Sequence, residues 1–112
     1  MLALDACATA APMPAPPLAA DTAGRVSVPV SRTVTLTGVL GLPAGEGPAP
    51  AVILMHGCSG ATPNMGRWAR VLHGWGYVSL ALDSFGGRGL TSVCENGALR
   101  SDDRVADAYA AL

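Results

Sequence analysis

The sequence predicts a single α/β domain in which an antiparallel strand pair leads into a parallel β-α-β unit. Residues 26–36 alternate apolar with polar side chains, residues 51–55 form an unbroken apolar run, and residues 51–82 have the pattern of strand, turn, helix and strand. The chain has 112 residues, of which 50% are hydrophobic and 13% are charged. This length and composition are typical of one folded domain.

Two half-buried strands are predicted first. Val26, Val28 and Val30 alternate with polar residues, and Val34 and Leu36 continue the alternation after a short break. Side chains of a strand point to opposite faces in turn, and β-branched residues suit strands. The pattern therefore predicts an antiparallel meander.

The apolar run Ala51–Met55 follows a Pro- and Gly-rich loop at residues 42–50. Strands of parallel sheets are buried on both faces and have continuous apolar sequences. We therefore expect this run to be an inner strand that is covered on both faces and both edges.

A helix is predicted to begin with Thr62 as N-cap and Pro63 in the first helical position. One apolar stripe follows at helical spacing, formed by Met65, Trp68, Leu72 and Trp75. Gly74 and Gly76 end the helix, and a second parallel strand is predicted at residues 77–82.

A Gly-rich loop is predicted at residues 84–96, before the start of a further helix. Ser101 is the expected N-cap of that helix, with Asp102 and Asp103 favourable in its first turn.

Residues 1–24 are rich in Ala and Pro and have no periodicity. Closely spaced prolines prevent regular structure, which predicts a disordered tail or linker. The small-x-small pattern of residues 8–10 instead suits the remnant of a clipped export signal, although no basic segment precedes it. Both interpretations stay open. The location is therefore open as well, and it is either cytoplasmic or, with an export signal, periplasmic or secreted.

Charge and hydropathy exclude two classes of function. The formal net charge is −1 and the basic residues are scattered, so no nucleic-acid partner is predicted. No apolar run reaches the ~18–20 residues that a membrane helix requires. The sequence leaves the oligomeric state open.

The most informative motif is His56-Gly57-Cys58-Ser59-Gly60, directly after the apolar strand. Ligands of open α/β sheets bind at the carboxyl ends of the strands. Glycines in such a turn let backbone N–H groups face a ligand and stabilise a developing oxyanion. The alternative is a tight turn without a catalytic role.

Metal and nucleophile signatures are weak. His56 and His73 are seventeen residues apart without a helical acidic partner, so no metal site is predicted. Ser59 is not at a nucleophile elbow, because Ala61 stands where that motif has Gly. No cofactor motif is present.

The three cysteines form no C-x-x-C pair. Cys7 lies in the N-terminal segment, whereas Cys58 and Cys94 lie in the predicted domain. A disulfide between Cys58 and Cys94 is one hypothesis, and two free thiols are the other.

Three blocks in order resemble the dienelactone hydrolase family of α/β-hydrolases. They are PAVILMHGCSG, then N-M-x-x-W-A-x-x-L-x-x-W-G-Y, then L-D-S-F-G-x-R-G, within residues 26–112. The resemblance implies an eight-stranded, mostly parallel sheet and hydrolysis of small esters or lactones. It also implies an acyl-enzyme route with a Cys or Ser nucleophile and Asp and His partners, without metal or organic cofactor.

The resemblance also implies roles for particular residues. The backbone N–H of Cys58 would be an oxyanion-hole donor, and His56 and Gly57 would shape its turn. Gly57 stands where dienelactone hydrolases have an acidic residue, which favours a broader hydrolase. Arg88 is similar in place to an Arg that binds substrate carboxylate, although it is offset.

In the family, the nucleophile elbow, the triad Asp and the triad His all follow the region that this sequence matches. We therefore expect residues 25–112 to be a partial α/β-hydrolase domain, whose fold class is the N-terminal part of an α/β-hydrolase sheet truncated before its nucleophile. The chain alone is then expected to be inactive. The alternative is a catalytically inactive binding domain or a disulfide-stapled interaction domain.

Overall fold

The computed structural model describes residues 24–112, which form a small mixed α/β fold with a four-stranded mixed sheet and two helices. The elements are β1 (Gly24–Pro29), β2 (Thr35–Gly41), β3 (Ala51–Met55), α1 (Pro63–Gly74), β4 (Val78–Asp83) and α2 (Ser101–Ala110). A single 3₁₀ turn, Gly86–Arg88, follows β4.

The strand order in the sheet is β1-β2-β4-β3. β1 and β2 are antiparallel, as the meander predicted, and β2 is antiparallel to β4. β3 and β4 are parallel, and Ile53 is paired with Leu80. The predicted parallel β-α-β unit is therefore confirmed.

The cover predicted for β3 is only partly present within the described residues. Its continuous apolar sequence predicted a strand covered on both edges, but β3 pairs with β4 alone and lies at the edge of the sheet. Four of its five side chains are only partly buried. Residues 24–112 provide no further strand to cover this edge, so apolar side chains and backbone groups remain open there.

The core lies on one face of the sheet. Val28, Leu36 and Leu82 are buried at its centre. Partly buried side chains pack against this centre, namely Val26, Val30, Val34, Ile53, Met55 and Ala111. The alternation in β1 and β2 thus places the predicted valines on one face.

Helix α1 begins at Pro63 after Thr62, as predicted, although the Thr62 side chain forms no capping hydrogen bond. Gly76, with φ of +85°, takes the left-handed conformation after the helix. The predicted apolar stripe is only partly covered. Leu72 is buried, whereas Trp68 and Trp75 are exposed because no described element packs over them.

Helix α2 begins one residue away from the expected cap. Arg100 is the N-cap and Ser101 is the first helical residue. The Asp103 carboxylate accepts the Arg100 backbone N–H at 3.1 Å. The acidic side chain at the third helical position thus satisfies the N-cap backbone N–H, whereas the predicted cap Ser101 lies inside the helix.

The interpretation of residues 1–24 as a tail or signal remnant lies outside the described residues, except for Gly24, which begins β1. No helix within residues 24–112 has the length and apolar character that a membrane crossing requires.

Candidate functional site

The predicted turn after β3 is closed on itself. Gly57 and Gly60 form an isolated antiparallel bridge, in which the Gly60 N–H donates to the Gly57 carbonyl at 3.2 Å. Gly60 has φ of +89°, and a Cβ there would lie 2.7 Å from the Thr91 carbonyl oxygen. Only Gly fits this position, because both the backbone conformation and the neighbouring chain exclude a side chain. Cys58 is exposed at the tip of the turn.

His56 is buried at the base of the turn, with 5% of its surface exposed. The Ser84 backbone N–H donates to His56 Nε2 at 3.0 Å. A backbone N–H can only donate, so Nε2 carries no proton and the proton of the neutral ring is on Nδ1. Nδ1 in turn donates to the Gly57 carbonyl at 2.8 Å. Both ring nitrogens are therefore engaged with backbone groups.

Asp83 lies near the same ring but has other partners. Its Oδ1 atom is 3.6 Å from His56 Nε2. The same oxygen accepts the backbone N–H groups of Phe85 at 2.9 Å and Gly86 at 3.1 Å. Both bonds are shorter than the contact of Asp83 with His56, so Asp83 shapes the turn after β4, and Ser84 determines the His56 tautomer.

The bond from His56 to the Gly57 carbonyl orients the candidate oxyanion donor. The Gly57 carbonyl and the Cys58 N–H belong to one trans peptide group, in which the two point in opposite directions. Since the carbonyl faces the His56 ring, the Cys58 N–H faces away from it. Among residues 24–112, no group accepts this N–H. The turn therefore presents an oriented donor at the carboxyl end of β3.

Arg104 of α2 also fixes this turn, a contact that the sequence did not predict. Its guanidinium donates to the His56 carbonyl and lies over the Phe85 ring, 5.8 Å from the ring centroid. The Phe85 and His56 rings pack edge to face at a centroid distance of 4.4 Å. Arg104 is forty-eight residues from His56. No local pattern in the sequence could have revealed a contact across that separation.

Two buried polar atoms of residues bonded to His56 have no partner in the described part of the chain. They are the Ser84 hydroxyl oxygen and the Arg104 Nε atom. A buried polar group without a partner is destabilising, and native structures contain few of them. The region behind the turn therefore retains hydrogen-bonding capacity that residues 24–112 do not use.

The segment 91–94 crosses the outer side of the turn and is bonded to it at Cys58. The Val93 N–H donates to the Cys58 carbonyl at 2.8 Å, and the Ser92 hydroxyl donates to the same oxygen at 3.2 Å. A disulfide joins Cys58 to Cys94, with their Cα atoms 4.8 Å apart. We call residues 91–94 the strap.

Arg88 is engaged with protein groups. Its guanidinium forms two parallel hydrogen bonds of 2.8 Å to the Asp107 carboxylate and one of 2.7 Å to the Ser84 carbonyl. The Asp107 side chain is 1% exposed. Hydrogen bonding to Asp107 raises the pKa of Arg88 above its ordinary value, so the guanidinium is charged over the whole neutral range. The proposed contact of Arg88 with a substrate carboxylate stays a prediction.

A cavity of about 340 Å³ lies between α1 and the opposite face of the sheet. His73, Ser79 and Asp83 are among the residues that line it. The His73 ring is engaged with the sheet, because its Nε2 is 2.8 Å from the Ser79 hydroxyl oxygen. Ser79 is 1% exposed, so this bond joins α1 to β4 and does not offer a nucleophile to a substrate.

The described residues contain no group of three or more His, Cys, Asp and Glu side chains that could hold a metal ion. They also contain no nucleophile with a free histidine base, since His56 is bonded through both nitrogens and His73 is bonded to a buried serine. The chemistry that residues 24–112 can contribute near Cys58 is hydrogen-bond donation from the backbone.

Comparison of the chain with family models, with curated proteins and with solved structures found no match.

Proposed function

We propose that this chain supplies the oxyanion-hole turn of an α/β-hydrolase of the dienelactone hydrolase type, which hydrolyses small esters or lactones. The observation that carries the proposal is the backbone N–H of Cys58. Cys58 is exposed, its N–H has no acceptor among residues 24–112, and a buried histidine orients its peptide group at the end of a parallel strand.

The chemistry of this donor suits acyl transfer. When a nucleophile attacks an ester carbonyl, negative charge develops on the carbonyl oxygen. A donor that is already oriented stabilises that charge without reorganisation, and removing one such donor from a hydrolase lowers kcat about 10²- to 10³-fold. His56 supplies the orientation from inside the turn, which is a positioning role. Gly57 supplies the carbonyl that His56 holds.

The architecture also supports an α/β-hydrolase. A hydrolase of this type has a further parallel strand beside β3, and the edge of β3 that would receive it is apolar and unpaired among the described strands. Trp68 and Trp75 leave an apolar surface on α1 that a further helix would cover. The proposal requires a nucleophile, an acid and a base from outside residues 24–112, since these residues do not assemble a triad.

A matched pair of variants at one position tests the proposal. Cys58→Pro removes the N–H, whereas Cys58→Ser keeps it, and both variants lose the disulfide. Each is made in the protein expressed from its native gene with all of the surrounding coding sequence. Hydrolysis of p-nitrophenyl acetate and of dihydrocoumarin is measured, with heat-treated protein as the baseline.

We expect the Pro variant to have a kcat about 10²- to 10³-fold below that of the Ser variant. Circular dichroism of both variants shows whether the turn substitution disturbs the fold. Equal kcat values for the two folded variants, or no hydrolysis above the baseline in the unsubstituted protein, would overturn the proposal.

The disulfide between Cys58 and Cys94 favours a second candidate, a disulfide-stapled interaction domain without catalysis. Such a domain would be stable as it is, with the apolar surface of α1 serving a partner protein. A soluble monomer of the 112-residue chain that unfolds in one cooperative transition, together with absence of hydrolysis, would support this candidate against the first.

A further inference from the structure

We infer that the strap is a positioning element for the Cys58 peptide and that its disulfide makes this positioning sensitive to thiol reductants. Cys94 is the positioning residue. This inference rests on the proposed oxyanion role of Cys58, and it adds a chemical condition under which that role operates.

Cys58 is held from two sides. On the inner side, His56 fixes the peptide group between Gly57 and Cys58 through the Gly57 carbonyl at 2.8 Å. On the outer side, the strap fixes the next peptide group, because the Val93 N–H donates to the Cys58 carbonyl at 2.8 Å. The disulfide fixes the side chain between them. These contacts leave the Cys58 N–H free to donate a hydrogen bond.

The outer contacts are weaker than the inner one. His56 is buried, whereas Ser92 is exposed and Val93 is only partly buried. Hydrogen bonds open to water contribute little by themselves, since water competes for both partners. The covalent bond is therefore what keeps the strap on the turn. The tight approach of Gly60 to the Thr91 carbonyl shows that the strap and the turn are in contact.

The disulfide is accessible to reductants. Both Cys58 and Cys94 are exposed. Exposed disulfides are generally the labile and regulatory ones, because an attacking thiolate can reach the sulfur atoms. A bond buried in the core would have no such sensitivity.

The reaction is thiol–disulfide exchange with a dithiol. One thiolate of the dithiol attacks the Sγ atom of Cys58 or Cys94, which breaks the protein S–S bond and forms a mixed disulfide. The second thiolate of the dithiol attacks the mixed disulfide and closes its own S–S bond. Two electrons and two protons pass from the dithiol to the protein, which ends with two thiols. The dithiol ends as its cyclic disulfide.

Backbone NMR of the full chain tests the inference without any measurement of activity. The chain is labelled with ¹⁵N and carries Cys7→Ser, so that only Cys58 and Cys94 can form a bond. Amide hydrogen exchange and ¹⁵N relaxation are recorded with the bond closed and again in excess dithiothreitol. Cys94→Ser in the same background reproduces the open bond without a reductant.

We expect opening of the bond to raise the exchange rate of the Val93 amide at least tenfold and to lower the order parameter of Cys58. The amide of Ser84, bonded to His56, and that of Leu80, in the inner strand β4, should change less than twofold. Cys94→Ser should give the same pattern as dithiothreitol.

Two results would overturn the inference. If Val93 and Cys58 are unchanged by reduction, the strap does not depend on the bond. If Ser84 and Leu80 exchange faster in proportion to Val93, the bond stabilises the whole fold and does not position the turn. Neither result depends on hydrolysis, so failure of this inference is distinguishable from failure of the proposed function.

Discussion

Ser84 and His56 are joined by a hydrogen bond of 3.0 Å from the Ser84 backbone N–H to the imidazole Nε2, across twenty-eight residues of sequence. The two residues follow directly after β4 and β3, the neighbouring parallel strands. The bond therefore ties together the carboxyl ends of these strands and determines which nitrogen of His56 is free to orient Gly57.

Replacement of His56 should destabilise the fold. His56→Ala removes a buried ring that packs against Phe85 and leaves the Ser84 N–H without its acceptor. Cavity formation and an unpaired buried donor together should lower the free energy of unfolding by about 3 kcal/mol. Urea denaturation measures this, with the exposed Arg67→Ala as control. A loss no larger than that of the control would contradict the assigned contacts.

Replacement by Ala should change the free energy of unfolding differently at two glycines. Gly60→Ala introduces a Cβ at φ of +89° and 2.7 Å from the Thr91 carbonyl oxygen. Strain and displacement of the strap should lower the free energy of unfolding by roughly 1–3 kcal/mol. Gly74→Ala, at the end of α1 with nothing within 4 Å, should be neutral or should raise it by about 0.5–1 kcal/mol. Thermal unfolding of both variants provides the comparison, and equal shifts in Tm would refute it.

The pair of Arg88 and Asp107 should behave as a unit. Arg88→Ala leaves the Asp107 carboxylate buried without a counter-charge, which should lower the free energy of unfolding by about 3–5 kcal/mol. The double variant Arg88→Ala with Asp107→Ala should lose less than the two single losses added together. Chemical denaturation of the four proteins completes the cycle. Additive losses would mean that the two side chains do not interact.

The same pair gives a prediction about pH. The pKa of Arg88 is raised in the folded chain, so its stabilising contribution is fully present below the pKa of the unfolded chain and is lost only above it. Stability measured between neutral and mildly alkaline pH should therefore be no more pH-dependent in the protein than in the Arg88→Ala variant. A stabilising contribution of Arg88 that fades within this range would contradict the direction of the shift.

The open edge of β3 should cause self-association. An apolar edge strand without charge or proline is a template for pairing with another chain. Sedimentation velocity should show association of the 112-residue chain that increases with concentration. Ala51→Lys, at the start of β3, should reduce it, whereas Ala106→Lys, on the exposed side of α2, adds the same charge away from the edge and should not. Equal effects of the two substitutions would argue against association through β3.

The local elements could be predicted from the sequence because their signals are local. The apolar run at 51–55, the Thr62-Pro63 helix start and the alternating valines each depend on a few neighbouring residues. The continuous apolarity of β3 did not by itself predict its position at the sheet edge. A continuous apolar sequence indicates that a strand is to be buried. It does not identify the residues that bury it.

The candidate site was likewise predicted only in part from the sequence. The turn at residues 56–60 could be found from its glycines and from its position after a strand. The contact of Arg104 with the His56 carbonyl could not, because it joins α2 to the turn across a large separation in sequence. Arg88 illustrates the same point, since an Arg after a strand has no local feature that distinguishes a partner such as Asp107 from a ligand.

The disulfide between Cys58 and Cys94 also divides the chain under mechanical force. It spans thirty-six residues, which include α1 and β4. A pull on the two ends of the chain would extend the segments outside this covalent ring and stop there. About 120 Å of contour length would stay hidden inside the ring until a reductant opened it. A single molecule held in an optical trap would therefore lengthen in two stages, and the second would follow the addition of a dithiol.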